Sequence, residues 1–483
     1  MVAVRRPHCT GGRCASGLRA GPGDHFAIIM RNAFRHAELL WAGYWSGIVP
    51  VPINWRLSPR EIAPILEDCD ARIIAVTEEF IPLFDSPALS RWRDRLLTVE
   101  AGGATRGQYE ALIASAAPAP VRPSAAGDDA ILLYTGGTTG RSKGVRLTHA
   151  NIVADAWQNG MALGIRPADR YLHVAPMFHS ADLNGTCCFL LGGGHAYLPQ
   201  FTPAAFFAAV ERHRVTLTNL VPTMVKMIAE APDAERFDLS SLRLIYYGSS
   251  PMPYEWLCAA RERFPGVAWV QGYGLTETAP ILTVLDHEAH LRCFASGDVA
   301  RLASVGTPVA GVQMRIFDGQ DRPLPTGEIG EVVVRGPNVS PGYFNREEET
   351  ARAFRGGWFH TGDVGRLDQD GFLTLVDRSK DVIITGGENV YSTEVEAVLY
   401  RHPDIAEAAV VRVPDERLGE ALFAVIVCKP GRTLEPEEVI AHCRQYIGGY
   451  KIPRRMAFVE ALPRTALGKI QKNVLRETYG KPA

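Results

Sequence analysis

Residues 130–145 read AILLYTGGTTGRSKGV, an apolar run passing without a break into a loop of glycine, threonine and lysine. A short apolar run bounded by small residues reads as a buried strand of an α/β sheet, and such sheets place their ligands at strand ends. Gly136, Gly137 and Gly140 let the backbone come close to an anion, Thr135, Thr138 and Thr139 offer hydroxyl donors, and Lys143 supplies positive charge. The loop therefore reads as a phosphate cradle. It is not of the Walker type, because Lys143 follows Ser142 and precedes Gly144.

Outward from this loop, short apolar runs alternate with helical patterns: FAIIM from Phe26, an amphipathic stretch from Phe34 to Trp45, RIIAV from Arg72 and RLIYY from Arg243 to Tyr247. The Ala, Pro and Ser-rich stretch from Ala116 to Gly127 reads as an internal linker. EVVVRG (331–336) and FLTLVDR (372–378), with no long helix between them, predict a β-rich portion. Beyond Arg378 a helix capped by Thr393 with Glu396 three positions on, the strands AAVVRV and LFAVIVCK, a helix from Glu437 to Tyr446 and the strand MAFVEAL make a small α+β unit. The expected fold is α/β: a large N-terminal domain, residues 1–379, of α/β subdomains plus the β-rich portion, then a small C-terminal α+β domain, residues 380–483.

A chain of 483 residues accommodates roughly two to four domains. Its 51 basic and 53 acidic side chains nearly cancel, so no whole-molecule field attracts nucleic acid or an anionic membrane, and a polyanionic ligand must be met locally. Nine cysteines without a C-x2-C pair suggest neither a disulfide framework nor structural zinc; reduced thiols in the cytoplasm are expected. No apolar run approaches the roughly 20 residues of a spanning helix, which argues against integral membrane contact. Residues 1–23, with Arg5, Arg6, Arg13 and Arg19 but no apolar core, read as a disordered or atypical start rather than a targeting segment.

Seven blocks occur in one order: the phosphate loop at 134–145, APMFH at 175–179, YYGSSPM at 246–252, QGYGLTET at 271–278, GWFHTGD at 357–363, DRSKDVIITGGENVYSTEVE at 377–396 and LPRTALGKIQK at 462–472. In these blocks the chain resembles the adenylate-forming superfamily of acyl-CoA synthetases, luciferases and peptide-synthetase adenylation domains, from about Leu18 onward. The resemblance implies an ATP-dependent acyl-CoA synthetase. A carboxylate attacks the α-phosphate of ATP, pyrophosphate leaves, and the acyl group passes from acyl-AMP to coenzyme A. Glu277, beside Thr276, suits the Mg²⁺ of the triphosphate, and the family gives it that role. Tyr273 with Gly248, Ser249 and Ser250 would form the adenine slot, and Asp363 with Arg378 would hold the ribose. Lys469 would bridge the substrate carboxylate and α-phosphate, Gly386 and Gly387 would pass the pantetheine arm, and Lys380 falls at the hinge of a mobile C-terminal domain.

The chain departs from the family in carrying Gly137 for Ser and Ser142 for Pro, and in having replaced or lost several dozen residues ahead of LRAGPGDHFAIIMRN. Amino-acid-activating relatives place Asp after the Phe of the APMF block. His179 stands there instead, as an aromatic gate beside the acyl pocket, which SADLNG (180–185) with Cys187, Cys188 and Phe189 would line or support, while Asp182 reads alternatively as a helix-start residue. A monocarboxylate, a short to medium fatty acid of fatty acid metabolism or an aromatic acid, is the expected substrate, and a homodimer is compatible with the reading. The rivals are transfer to a carrier protein and an inactive nucleotide-binding scaffold. A scaffold needs none of Glu277, Asp363, Arg378 and Lys469.

Overall fold

The computed structural model describes residues 20–100, 107–117, 122, 124–135, 142–378, 381–385, 388–415, 417–464 and 470–480. The chain divides into two compact units. One takes the chain up to Ser249, Trp256–Gln313 and Val334–Phe359; the other takes Ser250–Glu255, Met314–Val333 and the chain from His360 onward. The boundary expected at 379/380 falls inside the second unit. Most of the expectation for residues 1–23, and part of the linker from Ala116 to Gly127, lie outside the described residues.

In the first unit a parallel sheet runs Val49–Pro52, His25–Ile29, Ile73–Thr77, Leu96–Val99. Ile28, Ile29, Ile74 and Val76 are wholly buried, the continuous apolar reading of a sheet covered on both faces. A seven-stranded sheet runs Thr307–Pro308, Ile281–Leu285, Ala268–Gly274, Leu244–Gly248, Leu217–Leu220, Arg170–His173, Gly194–Tyr197, parallel except at the Ile281–Leu285 end. The stretch that opens the sequence reading is the strand Asp129–Thr135. It is not followed by a helix but turns back as an antiparallel hairpin with Lys143–Thr148, Thr135 opposite Lys143, and Gly342–Tyr343 adds a third strand. The next helix, His149–Ala162, starts where Thr148 and Asn151 cap each other: the Asn151 N–H donates to Thr148 Oγ1 (3.2 Å) and the Thr148 N–H to Asn151 Oδ1 (2.9 Å).

The second unit holds most of a four-stranded sheet ordered Gln313–Phe317, Gly330–Arg335, Phe359–Leu367, Leu373–Arg378, the last two antiparallel, which is the expected β-rich portion; Gln313, Val334, Arg335 and Phe359 are counted with the first unit. A second sheet runs Glu388–Val390, Ile383–Thr385, Gly419–Cys428, Ile405–Asp415, with Arg455–Phe458 also on Gly419–Cys428. One face buries Val410 and Ile426 against Val395 and Leu399 of helix Ser392–Leu399 and Val439 of helix Pro436–Arg444. The other packs Val411, Phe423 and Val425 against Leu475 of helix Lys472–Tyr479. Thr393 is not the cap the sequence suggests, because the helix begins at Ser392 with Tyr391 at the cap position, two residues earlier. The Asp377 carboxylate accepts from the Ser392 N–H (2.5 Å) and hydroxyl (2.7 Å), Thr393 donates its hydroxyl to Val376 O, and Glu396 accepts from the Val410 N–H (2.7 Å) and from Lys472. A carboxylate on another strand thus outcompetes the local cap.

Candidate active site

Strand Ala268–Gly274 runs out into a single turn, Thr276–Thr278, that carries Glu277. The Tyr343 hydroxyl donates to Glu277 Oε1 at 2.8 Å, and the Ser340 N–H donates to the Glu277 carbonyl at 2.8 Å. Burial, and then the Glu277 charge, push the Tyr343 phenol well above its ordinary range, which keeps it a donor. Tyr343 reaches this place because it pairs with Val145, one strand over from the hairpin turn. The same pairing sets the Lys143 ammonium 5.1 Å over the Tyr343 ring, where it forms an ion pair with Glu349. One polar corner therefore joins Lys143 and Glu277, expected from the sequence, to Tyr343 and Glu349, which sequence reading missed; the GYF in SPGYFNREEET was the available signal.

The neighbouring residue, Thr276, leads to the other half of the site. Its hydroxyl lies 3.0 Å from that of Ser180, the residue after His179. His179 caps the short helix Ser180–Gly185, its Nδ1 accepting the Ala181 N–H at 3.2 Å. Asp182 lies in the first turn of this helix, as expected, and its side chain also turns inward to meet His173 Nδ1 at 2.8 Å, with both side chains buried. His173 Nε2 in turn lies 3.0 Å from His195 Nδ1. Neither His173 nor His195 carries any local motif.

Gly248 and Gly272 are directly paired on adjacent strands, next to Tyr273. A Cβ on Gly248 would stand 2.2 Å from the Gly272 carbonyl oxygen, so only glycine allows this close approach. Ser249, at φ 70°, and Ser250 are exposed beyond the strand end. In the second unit Asp363 is buried and stands opposite Arg378 in the antiparallel register. Its turn is fixed from beneath. Thr361 Oγ1 donates to Val332 O (2.7 Å) and accepts the Asp363 N–H (3.0 Å), while Glu331 accepts from the Gly362 N–H (3.1 Å) and contacts His360 Nδ1 (2.8 Å).

Gly136, Gly137, Thr138, Thr139, Gly140, Lys380, Gly386, Gly387 and Lys469 lie outside the described residues, as does the side chain of Arg378. The flanks of two of these segments are described. Thr135 and Lys143 pair across the phosphate loop, and Arg464 bridges to Ile470 across the segment that holds Lys469. After Ile470, Lys472 pairs with Glu396 at 2.7 Å and Arg476 with Asp381, which fix the last helix to the unit.

Family models describe residues 9–344 as an AMP-binding enzyme and residues 394–469 as the AMP-binding enzyme C-terminal domain. The chain is similar to a feruloyl-CoA synthase of Amycolatopsis sp., 40% identical over 97% of this chain and 92% of that protein. It is similar also to an indoleacetate–CoA ligase of Aromatoleum aromaticum, 36% identical over 97% and 91%. Among solved structures, ATP-bound MatB from Rhodopseudomonas palustris superposes with a TM-score of 0.85 at 30% identity, covering 96% of this chain and 90% of that one. The amide bond synthetase McbA from Marinactinospora thermotolerans superposes at 0.84 with 33% identity, covering 95% and 90%.

Proposed function

The chain belongs to the AMP-binding enzyme family and is an ATP-dependent, AMP-forming acyl-CoA synthetase, and on that premise we propose that its acid is an aromatic monocarboxylate. The observation that carries this reading is the Ser180–Thr276 hydrogen bond, which joins an aromatic-lined side to the polar corner through the residue next to Glu277. On the aromatic side Trp41 packs on Phe189 (5.1 Å) and Phe189 stacks on His195 (3.4 Å, 13°), rings suited to a flat substrate. The names of the relatives, feruloyl-CoA synthase and indoleacetate–CoA ligase, point the same way.

In this reading the substrate carboxylate lies near His179 and attacks the α-phosphate held by residues 135–140 and Lys143. Lys143 exchanges Glu349 for phosphate. Tyr273 and Gly248 to Ser250 take the adenine, and Asp363 with Arg378 takes the ribose. The oxygen donors of Glu277 and Thr276 fit a hard cation, and Tyr343 fixes the carboxylate that would hold it. Mg²⁺ bound there supplies neutralisation of the triphosphate charge. Lys469 stabilises the charge growing between carboxylate and phosphate. The chain from 380 onward then turns about Lys380, so that the thiol of coenzyme A enters past Gly386 and Gly387.

Pyrophosphate release measured over a panel of carboxylic acids, with and without coenzyme A, tests the assignment. Aromatic acids should lead and yield acyl-CoA; adenylate formation without thioester would move the acceptor to a carrier protein. Lys469→Ala should slow acyl-adenylate formation by about 10² to 10³, yet still convert supplied acyl-adenylate to thioester. Equal loss of both half-reactions would refute the alternation. Among the described residues no helix is long and apolar enough to cross a membrane. The cytoplasm is the compartment this reading assigns, and sedimentation tests a homodimer.

A further inference from the structure

We propose that the first unit holds a second small-molecule site, apart from the corner around Glu277, in the cleft between helices Tyr254–Arg263 and His287–Ser296, and that it takes a small carboxylate with a flat apolar body. The cleft has a volume of about 360 Å³, within the range of small-ligand pockets, and every residue that lines it belongs to the first unit.

Two helix faces and one strand start make the cleft. Cys258 and Arg261 lie three positions apart on the first helix, and His287, Leu291 and Phe294 recur at helical spacing on the second, so both rows turn toward the same gap. Val267 and Trp269, two positions apart and both buried, supply the depth of the cleft where the strand Ala268–Gly274 begins. Leu291 is 40% exposed, so the rim offers apolar surface to an entering body. Tyr273 stands at the other end of that strand, and four residues of extended chain put it roughly 13 Å from Trp269.

Two donors line this apolar gap without a protein acceptor. The Arg261 guanidinium lies 3.6 Å from the centroid of the Phe294 ring, a contact that uses its face and leaves its N–H edge for a planar acceptor. Among the described residues no carboxylate is paired with it, Glu262 on the same cleft included, whereas Arg263, two positions on, is paired with Glu235 at 2.5 Å. The second donor is settled by a backbone contact. The Trp269 N–H can only donate, and it donates to His287 Nδ1 at 3.3 Å, so the imidazole is neutral and carries its proton on Nε2. That N–H, too, has no acceptor among the described residues. A carboxylate answers both, with two oxygens for the N–H groups and a charge opposite to the guanidinium. The walls require the charge to sit on a small hydrocarbon body, flat enough to lie along Trp269 and Phe264. Pairing with a neighbouring acid, as at Arg263, is the ordinary outcome on a protein surface; at Arg261 the acid is left for a ligand to bring.

The test titrates 3-phenylpropanoate into the chain by calorimetry, with the catalytic centre first filled by a sulfamoyl analogue of its acyl-adenylate. One further equivalent should bind with a Kd of about 0.1 to 1 mM, the affinity of a ligand of this size. The uncharged 3-phenylpropan-1-ol should bind at least about tenfold more weakly, through loss of the charge-assisted contact. Arg261→Gln should weaken the carboxylate by at least about tenfold and leave the alcohol within about twofold. Cys258→Trp, which fills the cleft, should abolish binding of both. Pyrophosphate release by both variants should stay at the wild-type rate, which shows that they fold. Absence of the further equivalent in the wild-type chain, or its survival at unchanged affinity in either variant, would overturn the proposal and leave the synthetase standing.

Discussion

The corner around Glu277 and the aromatic cluster around His195 lie on either side of the Ser180–Thr276 hydrogen bond but are built by opposite means. In the corner, charges are paired with charges that can be exchanged. The side chains of Lys143 and Glu349 are 21% and 26% exposed, so the triphosphate proposed to bind there would replace the carboxylate without burying a lone charge. Around His195 the polar groups are packed among aromatic rings; the side chains of His173 and Asp182 are 2% and 7% exposed. Exchangeable charge suits an anionic ligand, and packed aromatic rings suit discrimination among flat acids. Changes in the corner should therefore alter the use of ATP whichever acid is supplied, and changes in the cluster should alter the choice of acid.

The comparison is broken most directly at Glu277. Glu277→Ala should lower acid-dependent pyrophosphate release by more than about 10³ with every acid, through loss of the metal anchor. Full turnover at ordinary Mg²⁺ concentration would falsify the assignment of the corner. Asp363→Ala removes two charge-assisted hydrogen bonds of about 1.5 to 3 kcal/mol each, so ATP affinity in a direct binding measurement should fall at least about a hundredfold. An unchanged affinity would place the ribose elsewhere. Glu349→Gln tests exchange itself. A partly exposed ion pair is worth about 0.2 to 1 kcal/mol, so freeing Lys143 should lower the KM for ATP by at most about fivefold, equally for all acids; a shift confined to one acid would dissolve the distinction between corner and cluster.

The smallest effect concerns the helix that backs the site. Asp155 is fully buried, its Oδ1 accepting the Ile281 N–H at 3.0 Å and its Oδ2 the Asn159 amide at 2.9 Å. Burial raises its pKa well above the ordinary value despite both hydrogen bonds. The folded chain thus holds this proton more tightly than the unfolded chain. The contribution to stability is present at low pH and is lost as pH rises past the unfolded carboxylate value of about 3.9 toward the folded one. Asp155→Asn should raise Tm by about 2 to 4 °C at pH 8, with a smaller gain at pH 5; thermal melts at the two pH values check the sign.

What could be read beforehand follows the same division. The strands at 129–135 and 244–248, the helix from Phe34 and the small C-terminal unit were legible because each is specified by residues close in sequence. Glu277 and Asp363 stand out for the same reason, within compact blocks. Tyr343 and Glu349 were missed because their contacts depend on a third strand, Gly342–Tyr343, joining a hairpin that lies far away in the chain. Around His195 the sequence offered only SADLNG and Phe189, as lining or support of the acyl pocket. His173, Asp182 and His195 come from three segments whose meeting is set by the order of the parallel strands Arg170–His173 and Gly194–Tyr197, an order that no local pattern encodes. The cap at Thr393 was misread in the same way, since Asp377 reaches the helix start from another strand.

That bond from Asp377 to Ser392 has a consequence of its own. It closes residues 377–392 into a ring, with the proposed pivot Lys380 inside it, and the bond from Thr393 to Val376 closes the ring a second time. The rotation proposed about Lys380 would have to open the ring. The amide hydrogen of Ser392, shielded while the ring is shut, exchanges with solvent deuterium when it opens. Its protection is thus a clock for the opening, readable in the resting enzyme, against which the interval between adenylation and thioester formation can be compared.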